Sequence, residues 1–356
     1  MLNILAAGAI AMTITLFGTR FLITFLTRKA YGQFVRDDGP TEHHVKRGTP
    51  TMGGLIIIIA VLAAYALVHL IFWSPVSASG LLALYLFTAL GMVGFIDDWT
   101  KISKARSLGL NARAKLALQS FIAASFAILS LQFPDDRGVT PASAAVSFLR
   151  DLPWFTLPTV VAIGWMMFII AAFSNGTNLT DGADGLLTGA ATMVFAAYAI
   201  MNIWQLTQYC GWSSAGPRCY EVRNPRDLAV VALAIAGALF GFLWWNARPA
   251  KIFMGDTGSL AIGGGVAAMA IMTRTELLSV VIGALFVFEA LSVLTQVGYF
   301  KLTKGKRLWK MAPLHHHFEM LGWNEVTVVV RFWIIAGLAV ATGLGLFYAE
   351  WVATQG

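Results

Sequence analysis

Apolar residues fall in long unbroken runs along the whole chain, and short polar segments separate one run from the next. Ten of these runs match the length a helix needs to cross the hydrocarbon core, at approximately 3–26, 52–73, 80–97, 115–133, 157–174, 186–204, 228–245, 258–273, 277–300 and 328–349. A membrane β-barrel would alternate apolar and polar positions, so these continuous runs exclude it; a helix is the other structure that satisfies every backbone polar group in lipid. The expected fold is therefore all-α, a polytopic membrane protein of ten transmembrane helices in a single integral membrane domain covering residues 1–356. The eighth run is the weakest, being short and carrying Gly263-Gly264-Gly265, where small residues let a neighbouring helix approach closely.

The polar segments set the orientation. Basic residues concentrate in the loops at about 28–50, 98–114, 246–257 and 301–327, which places those loops in the cytoplasm. All ten lysines (29, 46, 101, 104, 115, 251, 301, 304, 306 and 310) fall on that side, Lys115 at a helix entrance. Both termini are then expected to be extracytoplasmic. The first run has no basic segment before it, and Arg20, Arg28 and Lys29 follow its apolar stretch, so it reads as a retained helix rather than a cleaved signal peptide.

Composition agrees: 58% of residues are hydrophobic and only 12% charged. A net charge of +7 raises the question of nucleic acid, but the basic residues flank the apolar runs, where anionic head groups lie. Membrane lipid and anionic substrates account for the charge better, and no nucleic acid is expected. Cys210 and Cys219 share the extracytoplasmic loop 205–227, an oxidising location in which Gly211, Gly216 and Pro217 let the chain double back and a structural disulfide can form.

Ten of the eighteen acids and five of the six histidines fall on the cytoplasmic side. That distribution favours an enzyme site at the cytoplasmic helix ends over a transporter, which keeps its ionisable groups near the bilayer midplane; Glu289 is the clear mid-span acid. Asp97 and Asp98 end the third run, and Lys101 shares a helical face with Asp98. Paired hard-oxygen ligands suit Mg²⁺ and phosphate chemistry, although a polar stop at a helix end would look the same. In the turn at about 175–185, Asn178, Asp181 and Asp184 recur at i, i+3 and i+6 with no basic residue nearby. They form one stripe if helical and converge if the segment is a glycine-rich loop; capped, solvated acids are the plain alternative. The two Asn-x-Thr sequons at Asn175 and Asn178 lie on the wrong side of the membrane for glycosylation. Asp256 precedes the eighth run, where the positive end of a helix keeps an acid ionised, a property suited both to a metal ligand and to an N-cap. His315, His316 and His317 lie in the last basic loop, and three successive histidines cannot all face one ligand. Zinc is disfavoured there, since no cysteine is near and the acids favour an oxygen-ligated ion.

Five segments taken together, Lys46-Arg-Gly-Thr-Pro-Thr51-Met-Gly-Gly54, Asp97-Asp98, Asn178-Leu-Thr-Asp181-Gly-Ala-Asp184-Gly, Phe253-Met-Gly-Asp256 and Met311-Ala-Pro-Leu-His315-His-His-Phe-Glu319, resemble the phospho-N-acetylmuramoyl-pentapeptide transferase family across roughly residues 30–335. The Ala-Pro-Leu-His-His-His string separates that family from sister enzymes that use other UDP-N-acetylhexosamines. The resemblance implies a ten-helix enzyme of the bacterial cytoplasmic membrane, with its active site on the cytoplasmic face and a homodimeric assembly. It implies Mg²⁺-dependent transfer of phospho-MurNAc-pentapeptide from UDP-MurNAc-pentapeptide to undecaprenyl phosphate, giving lipid I and UMP in peptidoglycan synthesis. Carried over residue by residue, Asp256 matches the Mg²⁺ ligand and Asp97 with Asp98 the catalytic acidic pair. Lys46, Thr51, Asn178, Asp181, Asp184, Asn246 and Phe253 match positions around the nucleoside and diphosphate, with Phe253 as a uracil platform. His315 and His316 match catalytic positions near the sugar phosphate, with His317 and Gln296 as further substrate contacts. Thr177 departs from the family pattern, which has an apolar residue before Asn178, and Glu289 receives no role.

Overall fold

The computed structural model describes residues 1–29, 31, 48–104 and 109–353. Its helices are α1 (Leu2–Arg28), α2 (Gly54–Ile71), α3 (Ala78–Ser103), α4 (Ala112–Ser130), α5 (Thr159–Thr180), α6 (Leu186–Thr207), α7 (Pro225–Asn246), α8 (Gly255–Met272), α9 (Glu276–Ile282), α10 (Ala284–Leu302), α11 (Leu314–Glu319) and α12 (Glu325–Ala353). Among the described residues nine of these, all but α8, α9 and α11, are long and apolar enough to cross a membrane. The architecture is that of a polytopic helical membrane protein.

The expected eighth run forms α8, and its composition follows from its position. Every residue from Thr257 to Met272 is buried, so the helix meets protein on all sides and has no need of a lipid-like surface. It packs against α2, α3, α5 and α6. A Cβ on Gly263 would stand 2.4 Å from the Ser174 Cα of α5, so that contact requires a residue without a side chain. Around this centre α1 packs on α2 and α7, α6 on α7 and α12, and α10 on α5.

Two features depart from the expected pattern. The ninth run is not one helix: it breaks at Gly283 between α9 and α10, where the Gly283 N–H bonds to the Ser279 carbonyl at 2.7 Å and α10 starts afresh. The segment before α5 is not merely a loop, because β1 (Ala145–Ser147) and β2 (Asp151–Thr156) pair antiparallel as a small hairpin. A strand of this length in a mostly helical chain carries too short a period-two pattern to stand out. Its anchors lie far away in sequence: Glu276 accepts from the Ser147 N–H at 3.1 Å and the Trp165 indole at 3.0 Å. Arg274 donates to the carbonyls of Thr140 (2.9 Å) and Pro141 (3.2 Å).

Cys210 and Cys219 are joined by a disulfide in the loop after α6. Arg150, at the hairpin turn, donates to the Cys219 and Arg218 carbonyls at 2.6 and 2.8 Å and pairs with Glu350 of α12 at 3.1 Å. Disulfide, hairpin and the end of α12 thus close one end of the bundle. The acidic turn after α5 lies at the other end, since α6 begins beside it and runs 22 residues, about 33 Å, to the disulfide loop.

Candidate active site

The ends of α3 and α5 and the start of α8 meet at that second end. Asp97 and Asp98 lie in the last turns of α3, and Asp256 in the first turn of α8. A Cβ on Gly94, one turn before the paired acids, would stand 2.0 Å from the Asp256 carbonyl oxygen; glycine therefore lets α3 lie directly on the entry to α8. The result is that one carboxylate oxygen from each of Asp97, Asp98 and Asp256 lies within 4.8 Å of the others.

The three acids are held differently. Asp98 is 3% exposed, and it accepts from Thr257 N–H at 2.9 Å, Thr257 Oγ1 at 2.7 Å and Asp256 N–H at 3.2 Å. It is an N-cap supplied by another helix, satisfying amides that α8 cannot satisfy for itself. Asp97 accepts from Leu110 N–H at 2.9 Å and pairs with Lys101 at 2.7 Å. Asp256 binds Lys115 at 2.5 Å and Lys101 at 3.2 Å through Oδ2, and takes the Asn178 amide at 3.0 Å on Oδ1. Asn178 also donates to Ser259 Oγ at 2.8 Å, so the last turn of α5 is tied to the first turns of α8. Thr177 adds to the same seam, its Oγ1 lying 2.8 Å from both the Phe173 and Ser259 carbonyls; a polar residue is accommodated there because α8 supplies an acceptor.

The acidic turn is part helix and part loop. Asn178 is in the last turn of α5, Asp181 ends that helix, and Asp184 lies beyond it. Burial, together with the charges of Asp256, Asp98 and Asp184, holds the Asp181 carboxyl well above the usual carboxylate range. Asp184 instead grips backbone: Oδ2 accepts from Ala250 N–H at 3.2 Å, while its own N–H donates to Glu325 at 2.8 Å. Glu325 in turn binds Arg248.

The structure brings His315 and His316 to this turn, with ring centroids 4.2 Å apart and both Nε2 atoms against Gly182. His317 points elsewhere, its Nδ1 accepting from Lys310 N–H at 3.1 Å beside Trp309. Gln296 clamps the same loop, accepting from Leu308 and Trp309 N–H at 3.0 and 2.9 Å. Asn246, 2% exposed, accepts from Thr188 at 2.5 Å and donates to the Ile252 carbonyl at 3.0 Å. Thr51 is buried near Gly255, and Phe253 is half-buried with its N–H on the Pro50 carbonyl at 2.8 Å. Lys46 lies outside the described residues.

Sequence reasoning set Lys101 on the face of Asp98 without making it a site residue, and used Lys115 only to orient the chain. Glu325 and Arg248 escaped it altogether, since their partnership with the acidic turn spans loops far apart in sequence.

Residues 80–274 match glycosyl transferase family 4, and residues 46–58 match the phospho-N-acetylmuramoyl-pentapeptide-transferase signature 1. Fold, acidic site and family match together define a polytopic membrane transferase. Over 356 residues, all of both chains, the protein is 63% identical to the phospho-N-acetylmuramoyl-pentapeptide-transferase of Cutibacterium acnes. It is 59% identical to that of Paenarthrobacter aurescens across 99% of each chain, and 58% identical to that of a Nocardioides species across 98% of this chain and 99% of the relative. The chain belongs to the phospho-N-acetylmuramoyl-pentapeptide-transferase family.

Proposed function

We propose that the protein transfers phospho-MurNAc-pentapeptide from UDP-MurNAc-pentapeptide to undecaprenyl phosphate, forming lipid I and releasing UMP for peptidoglycan synthesis. The observation that carries this reading is the cluster of three carboxylates and two lysines at one end of the bundle, in a chain related over its whole length to transferases of that name.

Donor and acceptor are both polyanions, so the site has to screen negative charge while keeping each in place. Asp256 and Asp97, offering carboxylate oxygens beside Asp98, would hold Mg²⁺; the two ammonium groups already drawn among these acids support a site built for cations. Bound there, Mg²⁺ supplies charge neutralisation and polarisation of the donor diphosphate. Lys101 and Lys115 bring further positive charge, and Lys46 is proposed to do the same from the preceding loop. Asn178 orients Asp256, and Asp98 fixes the helix turn that carries it. Thr51, Asp181 and Phe253 are proposed to contact the nucleotide half, and His315 with His316 the sugar phosphate. Asp184, Asn246, Gln296 and His317 are proposed as further substrate contacts on that surface, each also holding a loop backbone beside it.

Direct attack suits this arrangement. A phosphate monoester has a second pKa of about 6, so the acceptor is largely dianionic at neutral pH and needs positioning rather than a protein nucleophile. Its oxygen bonds to the β-phosphorus of the donor, the bond to the UMP oxygen breaks, and UMP leaves with the electron pair. Both Asp98 oxygens, bonded to the entry of α8, are poorly placed to attack instead.

The same reading includes ten membrane crossings with α8 among them, both termini outside, the acidic end in the cytoplasm and loops at about 28–50, 98–114, 175–185, 246–257 and 301–327 around the site. It also includes one integral membrane domain over residues 1–356 of a bacterial cytoplasmic membrane, and a homodimer. The test of the reaction is UMP release by purified protein with undecaprenyl phosphate and either UDP-MurNAc-pentapeptide or UDP-N-acetylglucosamine. Release from the first donor alone is expected; preference for the second would assign a sister enzyme, and none from either would favour a transporter.

A further inference from the structure

Glu289 is a carboxylate with no exposed surface in the second turn of α10, and burying such a group in a membrane-spanning segment is costly unless something holds it. Two groups face it, both from α11. Its Oε2 accepts from Leu314 N–H at 2.7 Å. Its Oε1 lies 3.2 Å from Nδ1 of His315, which is also fully buried. The two atoms are in ion-pair contact but not aligned as a hydrogen bond, and neither has a hydrogen-bond partner among the described residues, so a small rotation of the ring onto Oε1 is the contact that would satisfy both. An ionised carboxylate only accepts, so with Glu289 ionised the pairing puts the imidazole proton on Nδ1; a neutral carboxyl donating to Nδ1 would put it on Nε2 instead, and the two are told apart by the ring tautomer.

That choice fixes the other side of the ring. His315 Nε2 is turned towards Gly182, in the acidic turn between Asp181 and Asp184; a Cβ on Gly182 would stand 2.2 Å from it. Nε2 is buried and without a partner among the described residues, directed at the surface where substrate is proposed to bind. His316 repeats the pattern, with Nδ1 2.7 Å from Glu319 Oε2 and Nε2 3.2 Å from the same Gly182 position. Two imidazoles, each with a glutamate at Nδ1, thus converge on one spot.

We infer that Glu289 is a positioning residue for His315: it holds the ring in the Nδ1–H tautomer, so that Nε2 is presented to the substrate as a hydrogen-bond acceptor. An acceptor does not complement a phosphate oxygen. It complements an O–H or N–H, so the group that His315 meets belongs to the hydroxyl or acetamido donors of the sugar rather than to the diphosphate. This rests on the reading of His315 as part of the substrate surface.

The geometry makes Glu289→Gln an inverting change and not merely a weakening one. Leu314 N–H claims the amide oxygen, which turns the amide NH₂ towards His315 Nδ1 and forces the ring proton onto Nε2. Nε2 then presents a hydrogen where the substrate presents another.

The test is nitrogen NMR of protein labelled with ¹⁵N-histidine, purified in detergent at neutral pH without substrate, with the His315 resonances assigned by their absence in His315→Gln. The wild type is expected to show the Nδ1–H tautomer and Glu289→Gln the Nε2–H tautomer, with kcat/KM for the sugar nucleotide about tenfold to a hundredfold lower. An Nε2–H tautomer or a doubly protonated ring in the wild type would overturn the inference, as would an unchanged tautomer in Glu289→Gln. If that variant does not fold, the wild-type tautomer alone decides. Because the spectrum needs no turnover, failure of the proposed reaction would show separately, as absent UMP release from a protein with the expected tautomer.

Discussion

Both oxygens of Asp98 are engaged by the backbone and hydroxyl of the α8 entry, whereas Asp256 faces two lysines and an asparagine amide. Adjacent acids in the sequence therefore belong to one site without sharing one task. Asp98→Asn puts an NH₂ against donors at one of its two positions, so it should lower stability by about 1–3 kcal/mol besides lowering turnover. Thermal unfolding in detergent checks this, and an unshifted midpoint would remove the capping role. The same engagement argues against Asp98 as a nucleophile: labelled UMP should not exchange into UDP-MurNAc-pentapeptide without lipid acceptor, and robust exchange would restore a covalent route. The acids were legible because charge is scarce in such an apolar chain, and Lys101 because helical spacing puts it on the face of Asp98; that spacing pointed Asp97 elsewhere, whereas Lys101 lies 2.7 Å from Asp97 and 3.5 Å from Asp98. Lys115 was not legible, since its partner Asp256 is 141 residues away. The family resemblance suggests Asp184, Asn246, Gln296 and His317 as substrate contacts, and each of them also holds a loop backbone.

At the scale of elements, continuous apolar runs predicted every long helix, because lipid imposes the same length and composition on each. Where a segment meets protein instead of lipid that rule loses its grip. The buried α8 tolerates five glycines and an acid, and the ninth run divides at Gly283. The hairpin escaped because its stability lies in distant anchors rather than in its own pattern. Chief among these is Glu276, whose carboxyl burial pushes up to about 7. The folded chain keeps this proton to about pH 7, whereas an unfolded one releases it near the ordinary glutamate value; between about pH 4.5 and 7 the fold binds more protons, and its stability falls as pH rises. Glu276→Gln should therefore flatten the decline in unfolding temperature between pH 5 and pH 8. Parallel declines in the two proteins would show that this carboxyl is not responsible.

For the whole molecule, the helices separate two kinds of polar chemistry by a membrane thickness: disulfide, hairpin and Arg274 at one end, the carboxylate cluster and histidines at the other. On the distribution of lysines, the second end is proposed to face the cytoplasm. An impermeant amine reagent applied to intact cells should leave Lys304 and Lys306 unmodified and label them after lysis; strong labelling of intact cells would invert the topology. The central claim is that the cluster of Asp97, Asp98 and Asp256 holds the cation on which transfer depends. Asp256→Asn preserves size and removes the charge that Lys101 and Lys115 now share. The most direct measurement is lipid I formation by wild type and Asp256→Asn over a Mg²⁺ titration, each protein first shown to be folded and monodisperse. Losing the charge that anchors a hard cation should cost about a hundredfold or more in turnover at every Mg²⁺ concentration. Activity of Asp256→Asn within a few-fold of wild type at saturating Mg²⁺ would contradict the account.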